Sequence, residues 1–191
     1  VQLLLESELT KHTGQTNGIG QEDFQLYYQE YYKIIVGKWG YETKCFYLFI
    51  DSLSMIETIE LQRGFYDEFI FDYGWISSGT AKTGWWERGE PNPTSSGSAP
   101  KYDVDNDCGS EAYVTGNKPA LNPDYDDVDG FVKLTSPTMD LSTYEDPYLN
   151  FSKWFYCDKI HQPDDTLNVF ISNGTKSVKV CAFHSDTADL F

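Results

Sequence analysis

The spacing of apolar residues along this chain is typical of β-strands. Phe24, Leu26 and Tyr28 recur at every second position, and other segments are runs of β-branched and aromatic residues bounded by turns. Alternate side chains of a strand point to opposite faces, so both patterns predict strands. No segment has the apolar spacing of an amphipathic helix. Strands are predicted at 1–6, 24–28, 31–36, 44–50, 55–61, 112–115, 130–134, 148–156, 167–172 and 177–183.

The composition of the chain changes after Gly64. Residues 65–75 are dense in aromatic side chains, and residues 89–101 form a long loop that contains prolines. Short strands that are separated by turns indicate β-sandwiches. We therefore predict an all-β chain with two sandwich domains, at residues 1–63 and 64–191.

Composition and charge narrow the possible partners. Hydrophobic residues make up 40% of the 191 residues, enough for a packed core, and no apolar run approaches the roughly 20 residues that cross a bilayer. Thirty acidic residues against 14 basic ones give a net charge of −16. Such a surface repels phosphate backbones and anionic membranes, so we expect no nucleic-acid partner and no membrane insertion. Cations are the expected partners.

Two segments near the N-terminus resemble a known module. Residues 16–24 read TNGIGQEDF, and residues 32–43 read YKIIVGKWGYET. Both resemble motifs of the carboxypeptidase regulatory-like module, which is a small transthyretin-like β-sandwich. The resemblance implies this fold for residues 1–63.

The motifs that follow resemble a jelly-roll β-sandwich. They are GFYDEF (64–69), FDYGW (71–75), WERGEP (86–91), DCG (107–109), AYVTGN (112–117), DDVDG (126–130), LTSP (134–137) and DL (140–141). Such jelly rolls follow the module in secreted zinc carboxypeptidase-like (M14 family) proteins of the Bacteroidetes, and they are also similar to cleaved-adhesin and MAM-type domains. The resemblance implies a non-catalytic accessory or adhesion-type region of a secreted or cell-surface protein.

Catalytic motifs are not found in this sequence. A zinc carboxypeptidase needs a His-x-x-Glu pair and a distant His. The residues three positions after His12, His161 and His184 are Gln15, Asp164 and Thr187, and Asp164 lies in a proline-containing loop. Neither a Gly-x-Ser-x-Gly elbow nor a phosphate-binding loop is present. We expect no catalysis by this chain, and a metallocarboxypeptidase domain, if the protein has one, upstream of Val1.

Two acidic loops are the candidate metal sites. Alternating carboxylates at Asp103, Asp105 and Asp107 could converge on a calcium ion, with carbonyls and water completing its six to eight oxygen ligands. Cys108 and Val114 replace the Gly and Glu of an EF-hand loop. Jelly rolls of this kind often hold structural calcium in such loops. The second candidate loop contains Asp126, Asp127 and Asp129. The alternative for both is a solvated acidic loop.

The four cysteines are spaced too widely for a zinc ribbon or a thioredoxin-type site. An even number fits disulfides in an oxidising compartment, with three possible pairings, and the alternative is buried thiols. If bonds form, we expect Cys157–Cys181 within the second domain. We also expect Cys45–Cys108, which would tie the two domains together.

Surface residues suggest sugar contacts and modification. Adjacent Trp85 and Trp86 point to opposite faces of a strand, so one of them could be an exposed platform for carbohydrate, although aromatic-rich sandwiches usually bury such rings. Asn150 and Asn173 lie in N-glycosylation sequons. Ser52, Thr166 and Thr187 lie in Asp-Ser/Thr sequences that resemble the O-glycosylation signal of secreted Bacteroidetes proteins.

Both ends of the chain suggest a larger assembly. Val1 is not an initiator Met, so we expect the chain to begin inside a longer precursor. Few residues follow Phe183, and a jelly roll of this kind would need further strands. We therefore expect a jelly roll that is truncated at the C-terminus, with residues 177–191 pairing with a strand from outside this sequence.

Overall fold

The computed structural model describes residues 1–94, 97–105, 107–118, 127–157 and 165–184, and the backbone of 187–190. These ranges contain strands and no helix, which confirms the all-β fold class, and they hold no helix with the length and apolar character to span a membrane. The strands are β1 Gln2–Glu6, β2 Lys11–Gln15, β3 Tyr31–Gly37, β4 Lys44–Phe49, β5 Ile76–Gly79, β6 Trp86–Gly89, β7 Ala112–Thr115, β8 Val132–Thr135, β9 Ser152–Phe155, β10 Leu167–Ser172, β11 Ser177–Phe183 and β12 Thr187–Leu190.

The first four strands form one antiparallel sheet in the order β2-β1-β3-β4. Its register places Leu4 opposite Ile35 and Ile35 opposite Cys45, so these three residues share a face. We call this the second face of the sheet. The first face carries the neighbouring residues Leu5 and Ile34, which are opposite each other in the same register.

Loops rather than strands cover the first face. Its buried residues are Leu5, Tyr32, Ile34, Val36 and Ile50, and partly buried residues of the covering loops include Phe24, Leu26, Ile59 and Leu61. Residues 24–28 and 55–61 were predicted as strands because they alternate. That prediction is wrong: they bury one apolar side, but neither segment forms a strand. An alternating pattern indicates that one side of a segment is buried. A loop that covers a sheet can have this pattern as well as a strand.

The second face is covered by residues from the other half of the chain. Leu4 and Ile35 form a buried cluster with Ile70, Phe71 and Cys108, and Tyr73 packs against it. A Cys45–Cys108 disulfide with a Cα–Cα distance of 5.9 Å crosses the same contact, as the sequence predicted. The ranges 1–63 and 64–191 therefore share a hydrophobic cluster and a covalent bond. Their division into two domains stays a prediction.

The remaining strands form four two-stranded antiparallel sheets. The pair β6–β7 is nested within the pair β5–β8, and β10–β11 is nested within β9–β12. In each case the chain forms the inner pair between the two strands of the outer pair. The transthyretin-like and jelly-roll sandwiches stay predictions. Each of the strands β11 and β12 has a partner within this chain, and pairing along their other edges with an outside strand also stays a prediction.

The sequence pattern did not predict β2, β5 and β12. Strand β2 reads KHTGQ and has no apolar repeat. It forms because the Ser7 hydroxyl accepts hydrogen bonds from the backbone N–H groups of Leu9 and Thr10, which turns the chain back onto β1. Strand β5 reads ISSG, which is typical of a turn, and it is held by β8.

The predicted Cys157–Cys181 disulfide is wrong. Cys181 lies on β11 opposite Val169 of β10, whereas Cys157 follows β9, whose partner is β12. The two cysteines therefore belong to different two-stranded sheets. Both are thiols, and the buried Cys157 sulfur lies 3.9 Å from Asp165 Oδ2.

The disulfide gives a first prediction. When protein purified without reductant is denatured and alkylated, mass mapping should find label on Cys157 and Cys181 and none on Cys45 or Cys108. Replacing both Cys45 and Cys108 by Ala should lower the free energy of unfolding by roughly 2–4 kcal/mol, because the bond closes a loop of 63 residues. Reductant should destabilise the wild type and leave this double variant unchanged. Label on all four cysteines would contradict the pairing.

Gly37 gives a second prediction about the shared core. A Cβ at this position would collide with the hydroxyl of Tyr73 and would lie 2.8 Å from the Phe71 ring. Gly37→Ala should therefore push residues 70–73 off the second face and cost about 1–3 kcal/mol in the free energy of unfolding. The matched control is Gly18→Ala, where a Cβ meets nothing within 4 Å. Equal denaturation midpoints for the two variants would show that this contact is unimportant.

Candidate functional site

Acidic side chains collect where the second half of the chain meets the first sheet. Residues 64–73 bring Glu68, and the loop between β6 and β7 brings Asp103 and Asp107 to the same region, next to Cys108. Glu111 interacts electrostatically with both aspartates. We call these four residues the acidic cluster. The disulfide holds its loop, since Asp107 immediately precedes Cys108.

The carboxyl groups of Asp103 and Asp107 influence each other's ionisation. Burial, together with the negative charges of Asp107 and Glu111, raises the pKa of Asp103 from 3.8 to about 6. The protonated Asp103 carboxyl donates a hydrogen bond to Asp107. Burial also raises the pKa of Asp107, whose Oδ1 accepts a hydrogen bond from Gly109 N at 3.3 Å. The pair is therefore unfavourable when both carboxylates are ionised.

Glu68 is the most buried member of the acidic cluster. Glu68 is only 7% exposed, and within the described part of the chain its Oε2 has no hydrogen-bond partner. Burial first, and then the negative charge of Asp107, raise its pKa, against a hydrogen bond from the Cys108 backbone. Lys33 of β3 is the cation that interacts with both Glu68 and Asp107. A buried carboxylate oxygen without a donor is costly, so this position favours a proton or a metal cation.

Sequence reasoning missed Glu68. It is 35 residues from Asp103 in the chain, within the aromatic segment, and no acidic run marks it. It joins the aspartates only because its neighbours Ile70 and Phe71 dock on the second face of the first sheet. The signal that could have identified it is an isolated acidic residue inside an apolar segment.

The predicted calcium ligands are only partly brought together. Asp103 and Asp107 interact directly, whereas Asp105 is exposed and lines an open depression with Asp103, Tyr102 and Ser110. Among the described residues, no three His, Cys, Asp or Glu side chains already surround one point in the way that a metal ion requires. Carbonyls and water would have to supply the remaining oxygens of a calcium site.

The second acidic loop has another role in the structure. Asp129 forms an ion pair with Lys82 at 2.9 Å, and the Asp127 carbonyl accepts a hydrogen bond from the Thr83 hydroxyl at 2.9 Å. Both contacts join the loop after β5 to the segment before β8. Asp126 lies outside the described residues, as do His161 and Asp164.

The two candidate tryptophans differ in exposure. Trp85 is 37% exposed, whereas Trp86, the first residue of β6, is half-buried. Trp75, by contrast, packs against Phe69 and Tyr113 and donates a hydrogen bond to Asp67 at 2.8 Å. One exposed ring is compatible with sugar stacking, and carbohydrate binding at Trp85 stays a prediction.

Most of the predicted modification sites are on the surface. Asn150, Asn173 and Ser52 are exposed, and Asn173 lies in the turn between β10 and β11, where its side chain accepts hydrogen bonds from the turn backbone. Thr166 is half-buried and its hydroxyl lies 3.1 Å from His184 Nδ1. The side chain of Thr187 lies outside the described residues. Glycosylation at these positions stays a prediction.

Comparisons with protein-family models, with curated proteins and with solved structures found no match to this chain. The resemblance to the accessory region of M14-type proteins stays a prediction.

The acidic cluster predicts how stability depends on pH in the absence of metal ions. The folded state binds a proton on Asp103 with a pKa of about 6, above the ordinary 3.8, so stability should rise as the pH falls from 7 through 6 towards 4. Asp103→Asn should remove part of this dependence and raise Tm at pH 7 by about 2–4 °C. The control is exposed Asp23→Asn.

Thermal unfolding in EDTA between pH 4 and 8 measures both effects. If Asp103→Asn has the wild-type Tm at pH 7, or if stability falls steadily from pH 7 to 5, the electrostatic description of the cluster is wrong.

Proposed function

We propose that this chain is a non-catalytic accessory region of a secreted or cell-surface protein, with a structural calcium ion bound at the acidic cluster. The Cys45–Cys108 disulfide supports an oxidising, non-cytosolic compartment. The observation that carries the calcium proposal is the buried Oε2 of Glu68, which has no hydrogen-bond partner among the described residues and lies beside the carboxyl groups of Asp103 and Asp107.

Calcium fits the chemistry of these groups. The ligands offered are carboxylate oxygens, and calcium prefers six to eight oxygen ligands in a flexible arrangement. Glu68, Asp103 and Asp107 would hold the ion, with main-chain carbonyls and water as further ligands. A divalent cation would also offset the burial and the like charge that raise the pKa of Asp103.

The location of the acidic cluster connects this ion to the accessory role. Glu68 precedes Ile70 and Phe71, which cover the second face of the first sheet, and Asp107 precedes the disulfide residue Cys108. An ion that bridges them links the segment and the loop that join the two halves of the chain. Bound calcium would therefore stiffen the region that presents whatever the rest of the protein carries.

The alternative function is a carbohydrate-binding or adhesin module that acts through surface contacts, for which exposed Trp85 is the candidate contact. A glycan array with the wild type and Trp85→Ala separates the two functions, because calcium binding at the acidic cluster does not require this ring.

The proposed ion predicts a calcium-dependent stability. At a free calcium concentration a hundredfold above Kd, the folded state should gain about 2.7 kcal/mol over the protein in EDTA. Glu68→Gln and Asp103→Asn should each abolish most of this gain, because each removes a charged ligand. Asp23→Asn is the matched control and should keep it.

Thermal unfolding and calorimetric titration with calcium are the measurements. No heat of binding and the same Tm in calcium and in EDTA would contradict the proposal. A gain that survives both cluster variants would place the ion elsewhere in the chain.

A further inference from the structure

The hairpin β10–β11 carries apolar side chains that no described residue of the chain covers. The residues near its tip are exposed on both faces: Phe170 (57%), Ile171 (53%), Val178 (62%) and Val180 (48%). Ile171 is the cross-strand partner of Val178, whereas Phe170 is opposite Lys179 on the other face. A two-stranded ribbon of this kind is marginally stable in water unless something packs against it.

The same hairpin is a basic segment of an acidic chain. Residues 166–184 contain Lys176 and Lys179 and no Asp or Glu, whereas the whole chain has a net charge of −16. The hairpin is therefore attracted to the rest of the protein surface, including the surface of another copy.

A complementary surface lies on the first sheet. Its second face is covered by Ile70 and Phe71 around Leu4 and Ile35, but the cover ends before the row Glu6, Lys33 and Tyr47. The result is an open groove lined by Glu6, Ser7, Glu8, Glu30, Tyr31, Lys33 and Tyr47. We call it the acidic groove.

The acidic groove is aromatic as well as negatively charged. Tyr31 is 63% exposed and Tyr47 is 72% exposed, and the Tyr31 ring lies 4.6 Å from that of Phe49. Lys11 pairs with Glu6 at 3.7 Å, but within the described part of the chain no ion pair neutralises Glu8 or Glu30. Exposed rings beside uncompensated carboxylates suit a ligand that offers both apolar side chains and ammonium groups.

We propose that the β10–β11 hairpin of one copy docks in the acidic groove of a second copy. The hairpin face that carries Phe170 and Lys179 packs on Tyr31 and Tyr47, and Lys176 and Lys179 lie against Glu8 and Glu30. The two surfaces are different patches of the chain, so the contact is heterologous and links copies head to tail. This inference goes beyond the proposed function and does not depend on calcium.

The test reverses the charges of the hairpin lysines and of the acidic-groove glutamates in separate variants. Sedimentation velocity from micromolar to millimolar concentration should show association of the wild type that weakens as salt is added. Lys176→Glu/Lys179→Glu and Glu8→Lys/Glu30→Lys should each weaken self-association by at least about tenfold. Lys101→Glu/Lys133→Glu changes the net charge as the hairpin variant does, at exposed positions outside both surfaces, and should associate like the wild type.

Mixing the two surface variants provides the decisive measurement. The first keeps a native acidic groove and the second keeps a native hairpin, so an equimolar mixture should associate with one-to-one stoichiometry under conditions in which each variant alone stays monomeric. Only variants that keep the wild-type Tm are compared, and each is measured in calcium and in EDTA. A wild type that stays monomeric, self-association that survives both reversals, or a mixture that stays monomeric would each overturn the proposal.

Discussion

The structure depends on covering the strand β3 from both sides. Tyr32 is fully buried on one face and Ile35 is 2% exposed on the other, although they belong to the same strand. A strand that buries residues of both parities needs apolar cover on both faces of its sheet. Residues near 24–26 and 59–61 cover the first face, and Ile70, Phe71 and Cys108 cover the second. The two halves of the chain therefore share one core.

Packing of the two halves of the chain against each other is what buries the carboxyl groups of the acidic cluster. Docking of Ile70 and Phe71 carries Glu68 into a buried position, and the disulfide to Cys45 holds Asp107 beside it. Burial and like charge then raise the pKa values of these carboxyl groups. The chain has a net charge of −16, and its carboxyl groups with raised pKa values in the acidic cluster are those that folding brings close together. Asp129, in contrast, is exposed and forms an ion pair with Lys82.

The strands with the most β-branched and aromatic residues were predicted correctly from the sequence. Strands β3, β4, β10 and β11 were predicted because their β-branched and aromatic residues favour an extended, half-buried backbone. Strands β2 and β5 were not, since they contain mostly polar or small residues and exist through their partners. Within the acidic cluster, Asp103 and Asp107 could be identified from their spacing. Glu68 could not, because 35 residues separate it from Asp103.

The sequence by itself determined the all-β class and the acidic surface, because period-two spacing and charge are local or additive properties. Only the tertiary structure decided which carboxylates meet, which apolar faces stay uncovered and which cysteines remain thiols. Those outcomes depend on strand pairing and on how distant segments dock. The free-energy differences that decide between such arrangements are small sums over many weak contacts.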